Sequence, residues 1–361
     1  MTSPARVGIV GCGVISRHCA ENAKVFDSFE IVACADVEQA QAQALAEEHG
    51  FPAVSVAALL ADTSIDIVLN LTPPAVHATV IGEALAAGKH VYTEKPLATD
   101  AVAATVLVEE ADRRGLQLAC APDIFLGGAY QAARALLDEG AIGEPLAVSA
   151  AMLVGGQESW HPNPDIFFAD GAGPLLDMGP YYLSAIVALL GPVRRVAGFA
   201  STRTRERTIE IGPRAGERFA AATPTHTTAS MELESGVTAN LVASFEATGQ
   251  YVCDLEIHGT EGVLALPDPN AFAGPVRLKQ GRAGWQEVAV AARDGRDARG
   301  IGLHELVEAI AAGRPPRASG RFGLHVVEVA RGILRSAEEE RAIEIASRVD
   351  QPDAMPAASI A

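Results

Sequence analysis

The junction at residues 6–16 constrains this chain most: the apolar run Arg6-Val7-Gly8-Ile9-Val10 meets Gly11-Cys12-Gly13 and then a helical pattern. A strand that turns on glycine directly into a helix is the opening of a βα unit. The rhythm then repeats. Strand 30–36 precedes a helix over 37–49, a short helix over 56–60 precedes strand 65–71, and helix 76–87 leads into strand 90–93. Helix 102–114 and a short strand near Leu118 follow. Short buried strands alternating with helices predict an α/β parallel sheet covered on both faces.

From about Ala121 the pattern changes. A helix over 127–139, a strand over 146–153 and a helix over 181–190 lead into alternating segments at 227–234, 236–246 and 253–258. Ser235-Gly236 and His258-Gly259 supply turn chemistry between them. These features predict a second, α+β domain over residues 123–345, built on a large, mostly antiparallel, open-faced sheet. Helices over 303–312 and 323–340 are expected to return to the first domain, residues 1–122. With 361 residues, two domains are the default. A sheet face left without a covering layer is commonly hidden by self-association, so a homo-oligomer, dimer or tetramer, is expected. The segment 346–361, rich in Ala, Pro and Ser, is expected to be a loose tail.

An excess of 45 acidic over 28 basic residues gives a formal charge of −17, which opposes binding to nucleic acid or an anionic membrane. The first apolar run is too short for a signal peptide or membrane span. Cys12, Cys19, Cys34, Cys120 and Cys253 lack disulfide-framework or metal-ligand spacing and read as reduced, mostly buried thiols of a cytoplasmic protein.

In Gly11-Cys12-Gly13-Val14-Ile15-Ser16 the first two glycines permit a tight turn and close approach of backbone to a pyrophosphate, while Ser16 stands where a third glycine is usual. The helix that follows directs free N–H groups at the same place. Asp36 ends the second strand, twenty-three residues beyond Gly13, where a carboxylate can accept ribose hydroxyls and repel a 2′-phosphate. Val37 and Glu38 follow it, with no cation to neutralise that phosphate, so NAD is expected over NADP. Thr72, Pro73 and His77, at the next strand end, are candidates to line the same cofactor.

Lys95, in Thr93-Glu94-Lys95-Pro96, follows an apolar strand and precedes a proline that can take the cis form. It therefore stands with Glu94 at the carboxyl edge of the sheet, where ligands bind. A second cluster, Gly171 to Tyr182, places Asp177 and Tyr181 four apart, the spacing of one helical turn. Oxidation of an alcohol needs a base for the hydroxyl proton, and a tyrosine beside a lysine can serve because the cation favours the phenolate. Tyr182 is assigned to packing. Trp160, His161, Asn163 and Asp165 form a loop with an aromatic platform and polar neighbours, suited to a carbohydrate ring. His161 and Asp165 lack a third ligand nearby, and no metal is assigned. Arg203, Arg205 and Arg207 read as a solvated run.

Together, G-x-G-x-x, the acidic strand end, T-P-P-x-x-H, E-K-P and G-G-x-x-x-D-x-G-x-H/Y resemble the glucose-fructose oxidoreductase, inositol dehydrogenase and rhizopine-catabolism family. The likeness spans about residues 6–340 and implies a Rossmann-type first domain and an NAD(P)-dependent hydride-transfer enzyme. It implies that Lys95 assists proton transfer, that Asp177 contacts substrate, and that Tyr181 stands where many members carry an acid/base histidine. Ala172 replaces the first glycine of the usual pair. Sugars, cyclitols and related polyols are the substrates the resemblance implies. Two alternatives share these residues: a redox-assisted glycosidase or lyase that retains NAD, and a non-catalytic dinucleotide-binding sensor.

Overall fold

The computed structural model describes residues 3–248, 252–290 and 298–356. The chain divides into two units. Along the sequence the first contains β1 (Ala5–Val10), α1 (Val14–Asn22), β2 (Phe29–Ala35), α2 (Gln39–His49), α3 (Val56–Ala61), β3 (Ile67–Asn70), α4 (His77–Ala86), β4 (His90–Thr93), α5 (Ala101–Arg114) and β5 (Leu118–Cys120). The strands form one parallel sheet in the order β2-β1-β3-β4-β5. Val7, Ile9, Ile67, Val68 and Val91 are wholly or almost wholly buried in it, as continuous apolar strands covered on both faces must be.

The helices show their causes locally. Asp100 accepts the Ala103 N–H at 2.9 Å and so caps α5; Arg113 and Arg114 occupy its last turn, and Gly115 stops it at φ +67°. Its apolar stripe, Ala104, Leu107, Val108 and Ala111, packs in the same core as Ile81 and Leu85 of α4. Each fully buried Leu or Ile contributes roughly 1.5–3 kcal/mol.

The second unit follows with α6 (Gly128–Asp138), β6 (Pro145–Leu153), α7 (Pro174–Asp177), α8 (Gly179–Leu190), β7 (Val193–Ser201), β8 (Glu206–Thr208), β9 (Arg218–Ala220), β10 (His226–Leu233), β11 (Thr238–Ser244), β12 (Val252–Gly259), β13 (Gly262–Leu266), β14 (Val276–Gln280) and β15 (Gln286–Val288). Its nine-stranded sheet runs β15-β14-β13-β12-β6-β11-β10-β7-β16, where β16 is Ile343–Glu344. Among the described residues only β6 and β11 of this sheet pair in parallel; the other neighbours are antiparallel. Every residue of α8 is buried. The other surface of the sheet carries small and polar residues such as Ser149, Ala197, Ser230 and Asn240 beside Phe199, which is 80% exposed.

Helix α9 (Ile301–Ala312) and the start of α10 (Gly320–Glu339), through Val327, belong to the first unit. The tail is another matter. Met355 is buried, and its N–H donates to Gln131 Oε1 at 2.8 Å; Gln351 Nε2 donates to Ala188 O at 3.1 Å. Residues 346–356 are therefore not the loose segment expected from composition, because one apolar side chain and these bonds pin them. Residues 357–361 of that expectation, and the Cys253 side chain, lie outside the described residues. Cys12, Cys19, Cys34 and Cys120 are free and buried. No helix among the described residues is long and apolar enough to cross a membrane.

Candidate functional site

Three adjacent strands of the first unit end in register. Val10 of β1 pairs with Asn70 of β3, which pairs with Thr93 of β4. The ladder continues past their ends, where Gly11 N–H donates to Ala35 O at 2.9 Å, Leu71 N–H to Val10 O at 2.8 Å and Glu94 N–H to Asn70 O at 2.9 Å. The glycine turn, the Thr72-Pro73-Pro74 loop and Glu94-Lys95 therefore leave the sheet side by side at its carboxyl edge. Winding direction reverses between β1 and β3, which is where sheets of this order take ligands.

Gly11 has φ +98°, and a Cβ there would lie 2.6 Å from the backbone of Leu71 and Thr72. Gly13 is different: its φ of −76° is ordinary, and a Cβ would meet nothing within 4 Å. Glycine at 13 leaves room in front of the first turn of α1, which no side chain caps. Ser16 fits where a third glycine is usual, buried, with its hydroxyl donating to Gly13 O at 2.6 Å. Val14 is 75% exposed beside the turn, and Ile15 follows it on α1. Asp36 accepts the N–H groups of Cys12 at 2.7 Å and of Glu38 at 2.8 Å, leaving further lone pairs for ribose hydroxyls. An open cradle of N–H groups and an acidic strand end with no adjacent cation fit an adenine dinucleotide. The Cys12 thiol is raised by its hydrogen bond to Cys34 and by burial, so it stays a neutral packing group.

The other expected residues fall into two sets. Thr72 and Pro73 lie on the middle loop, with Thr72 held by Asn70, whose Oδ1 accepts the Thr72 hydroxyl at 2.7 Å. Asn70 is wholly buried and also donates to Thr93 Oγ1 at 3.0 Å. Sequence reading passed over it; the signal was an amide closing the apolar run Ile67-Val68-Leu69. The sequence makes His77 a candidate to line the cofactor. Its ring is instead wholly buried, with Nδ1 2.6 Å from Pro96 O and Nε2 2.7 Å from Thr72 O. Both ring nitrogens face backbone carbonyls, so the side chain serves the loops. Lys95 is half-buried, and the Lys95–Pro96 peptide is cis.

In the second unit, Asp177 ends α7 and Tyr181 lies in the first turns of α8. The helical path breaks at Met178, whose N–H still reaches Pro174 O while the Tyr181 N–H returns to Met178 O at 3.1 Å. Gly173, the retained glycine of the expected pair, has φ +96°, and a Cβ there would lie 2.8 Å from Pro224 O. Ala172, which replaces the other, donates its N–H to Ala169 O in an ordinary turn. Tyr182 is wholly buried with its hydroxyl donating to Ala151 O at 3.3 Å, as a packing residue should be.

Trp160 is 59% exposed and meets His161 edge-on at 5.4 Å and Phe167 at 6.1 Å between ring centroids. His161 Nδ1 accepts the Asn163 N–H at 3.1 Å, and Arg214 bonds Asn163 Oδ1 and Asp165 Oδ1. The loop is thus braced from within and leaves the indole open. Its other anchor corrects the sequence reading. Arg203 and Arg205 are exposed, but Arg207 is buried, paired with Glu158 at 2.6 Å and Glu246 at 2.9 Å, its guanidinium 4.5 Å from the Phe168 ring centroid. Within β8, Glu206 and Thr208 are exposed and Arg207 between them turns inward, whereas Arg203 and Arg205 precede the strand.

Residues 5–121 match the model of an oxidoreductase family with an NAD-binding Rossmann fold, and residues 130–265 match the GFO/IDH/MocA C-terminal domain. A dTDP-3,4-didehydro-2,6-dideoxy-alpha-D-glucose 3-reductase from Streptomyces violaceoruber is 32% identical over 352 residues, covering 95% of this chain and 96% of the relative. A D-xylose 1-dehydrogenase (NADP(+)) from Haloferax volcanii is 28% identical over 352 residues, covering 94% and 98%. Among solved structures, levoglucosan dehydrogenase in complex with NADH and L-sorbose superposes with a TM-score of 0.83 at 22% identity over 95% of this chain and 99% of that one, a likeness of fold. With both family models matched across its two units, the chain belongs to the GFO/IDH/MocA family of NAD-binding oxidoreductases.

Proposed function

We propose that this oxidoreductase transfers hydride between NAD and a ring hydroxyl or ketone of a sugar, cyclitol or related polyol. The observation that carries the reading is Lys95 just past β4 at the carboxyl edge of the first sheet, where β4, β3 and the strand that feeds the glycine turn end in register, in a chain of this family. The sugar reductase and sugar dehydrogenase among its relatives support a carbon that cycles between alcohol and ketone. Asp36 with exposed Val37 beside it favours NAD over NADP. Bound NAD supplies the hydride acceptor or donor. Lys95 is assigned the grip on the reacting oxygen, Tyr181 its proton and Asp177 a substrate hydroxyl, with Trp160, His161, Asn163 and Asp165 as the sugar-facing loop.

The test is a panel of free and nucleotide-linked sugars, polyols and their ketones with NAD⁺ or NADH, followed at the NADH absorbance band. Net NADH change with at least one sugar, lost in Lys95→Met and Tyr181→Phe, is expected. Cleavage of a glycoside without net NADH would replace this reading with the glycosidase alternative, and silence across the panel with intact NADH binding would favour the sensor.

The open face of the nine-stranded sheet is assigned to a second copy of this chain, in the cytoplasm. Its small side chains around exposed Phe199 suit sheet-to-sheet contact. Phe199→Glu should reduce the mass seen by light scattering to that of a monomer; an unchanged oligomer would reject this face.

A further inference from the structure

Lys95 lies beyond the end of β4, one residue past Glu94, whose N–H still donates to Asn70 O at 2.9 Å, and it precedes a proline that has no N–H. Its own N–H donates to Glu94 Oε2 at 3.1 Å. The other oxygen of that carboxylate accepts from Arg299 Nη1 at 3.1 Å. On the far side, Pro96 O faces His77 Nδ1 at 2.6 Å, and the same ring reaches Thr72 O through Nε2 at 2.7 Å. Glu94, expected to meet the cofactor, thus has both oxygens committed to Lys95 and Arg299.

Arg299 comes from a distant part of the sequence, and the start of α9 explains how it arrives. Gly302 N–H donates to Asp123 Oδ2 at 2.8 Å, and the Tyr92 hydroxyl bonds the same buried carboxyl. A Cβ at Gly302 would lie 2.4 Å from Asp123 Oδ2 and 2.5 Å from the Tyr92 hydroxyl, so glycine permits this approach. The first turn of α9 is thereby fastened beside β4, three residues after Arg299. An ion pair with side chains 28% and 17% exposed contributes only about 1 kcal/mol or less to stability. Its larger effect is geometric.

We infer that Arg299 and His77 are positioning residues that hold the Lys95 backbone from its two sides, Arg299 through the Glu94 carboxylate and His77 through the Pro96 carbonyl. This rests on the reading that Lys95 acts on the reacting oxygen. Displacing a reacting group by about 1 Å costs on the order of 100-fold in rate. Arg299→Gln should therefore lower kcat by roughly 10- to 100-fold on the panel sugar that the parent turns over, with NADH affinity and KM changed less than about 2-fold. Arg299→Lys, which keeps a cation but not the fork, should recover part of the loss.

A second readout needs neither sugar nor turnover. The chain has four lysines, Lys24, Lys89, Lys95 and Lys279, so ¹³C-methylated lysine gives a sparse NMR spectrum in which Lys95→Arg assigns one signal. That signal should move in Arg299→Gln and in His77→Asn, with the melting temperature of at least one of them near the parent's. An unmoved Lys95 signal with kcat retained would overturn the inference, as would a loss confined to NADH affinity or equal failure of Arg299→Lys and Arg299→Gln. If the parent itself turns over no sugar, the oxidoreductase reading fails, whereas the NMR arm still decides whether the two residues hold Lys95.

Discussion

The Asp36 carboxylate accepts the Cys12 N–H at 2.7 Å, so the acidic end of β2 holds the glycine turn that it also serves. Its second oxygen orders the start of the next segment through the Glu38 N–H at 2.8 Å. Asp36→Ala therefore removes two things at once, the carboxylate assigned to the ribose and a brace of the turn. A hydrogen bond to a charged group is worth about 1.5–3 kcal/mol, so NADH should bind about 10- to 100-fold more weakly by fluorescence titration. Asp36→Ser with Val37→Arg should narrow or reverse the preference for NADH over NADPH. Unchanged NADH affinity in Asp36→Ala would remove Asp36 from the site.

The two glycines of the turn predict opposite phenotypes. At Gly11 a methyl group would enter the Leu71–Thr72 backbone at 2.6 Å under a left-handed φ, so Gly11→Ala should lower stability, by about 1–3 kcal/mol or more, along with NADH binding. At Gly13 the methyl meets no protein atom within 4 Å, and the backbone is one that alanine adopts. Gly13→Ala should therefore unfold like the parent in urea yet bind NADH poorly, because it fills the space assigned to the dinucleotide. Parent-like NADH binding in Gly13→Ala would show that the cofactor does not use this cradle.

Much of this arrangement was legible in residues 5–121. Strand and helix periods there are set by local burial on both sheet faces, and the turn at Gly11 leaves a direct trace because no other residue tolerates it. What escaped depends on contacts distant in sequence. Arg207 looked solvated because its partners, Glu158 and Glu246, lie 49 and 39 residues away and come together only when β8 and β11 form. His77 looked like a ligand because a polar residue in the first turns of a helix gives no sign of which carbonyls it will meet. Met355 was hidden in an Ala- and Pro-rich tail, where one apolar side chain decides burial. The second sheet was expected to be mostly antiparallel, and it is; the parallel β6–β11 pair follows from a long connection whose return direction no local pattern encodes.

Glu246 gives the second unit a pH dependence of defined sign. Burial alone would raise its carboxyl. Bonds from the hydroxyls of Thr225 and Thr204, the Thr204 N–H and the charge of Arg207 overcome this and hold it at about 2, against an ordinary 4.5. A carboxyl depressed in the folded state stabilises fully above the unfolded value, and the contribution fades as pH falls from 4.5 through about 2. At about 1.4 kcal/mol per pKa unit, Glu246→Gln should cost about 3 kcal/mol at neutral pH. Urea unfolding of both proteins should show this gap narrowing only below about pH 4.5. A constant gap from pH 7 to pH 3, on the order of these limits, would mean that Glu246 stabilises by packing rather than by charge.

Trp160, assigned to the sugar-facing loop, is the position at which recognition of the sugar can be tested apart from the chemistry. Its indole is 59% exposed and supported at one edge by His161 and Phe167, so truncating it removes little buried area. An aromatic face contributes about 0.5–1.5 kcal/mol to a stacked partner, so Trp160→Ala should raise the KM for the sugar about 3- to 10-fold. The melting temperature, NADH affinity and kcat should stay near parental values, because uniform binding energy appears in KM alone. With only Trp160 and Trp285 in the chain, Trp285→Phe isolates the emission of the loop. Titration with the panel sugar should then quench Trp160 with the same midpoint as KM when chemistry is slow. Parental KM in Trp160→Ala, or emission indifferent to sugar, would take the 160–165 loop out of the binding site and leave the hydride step unaffected.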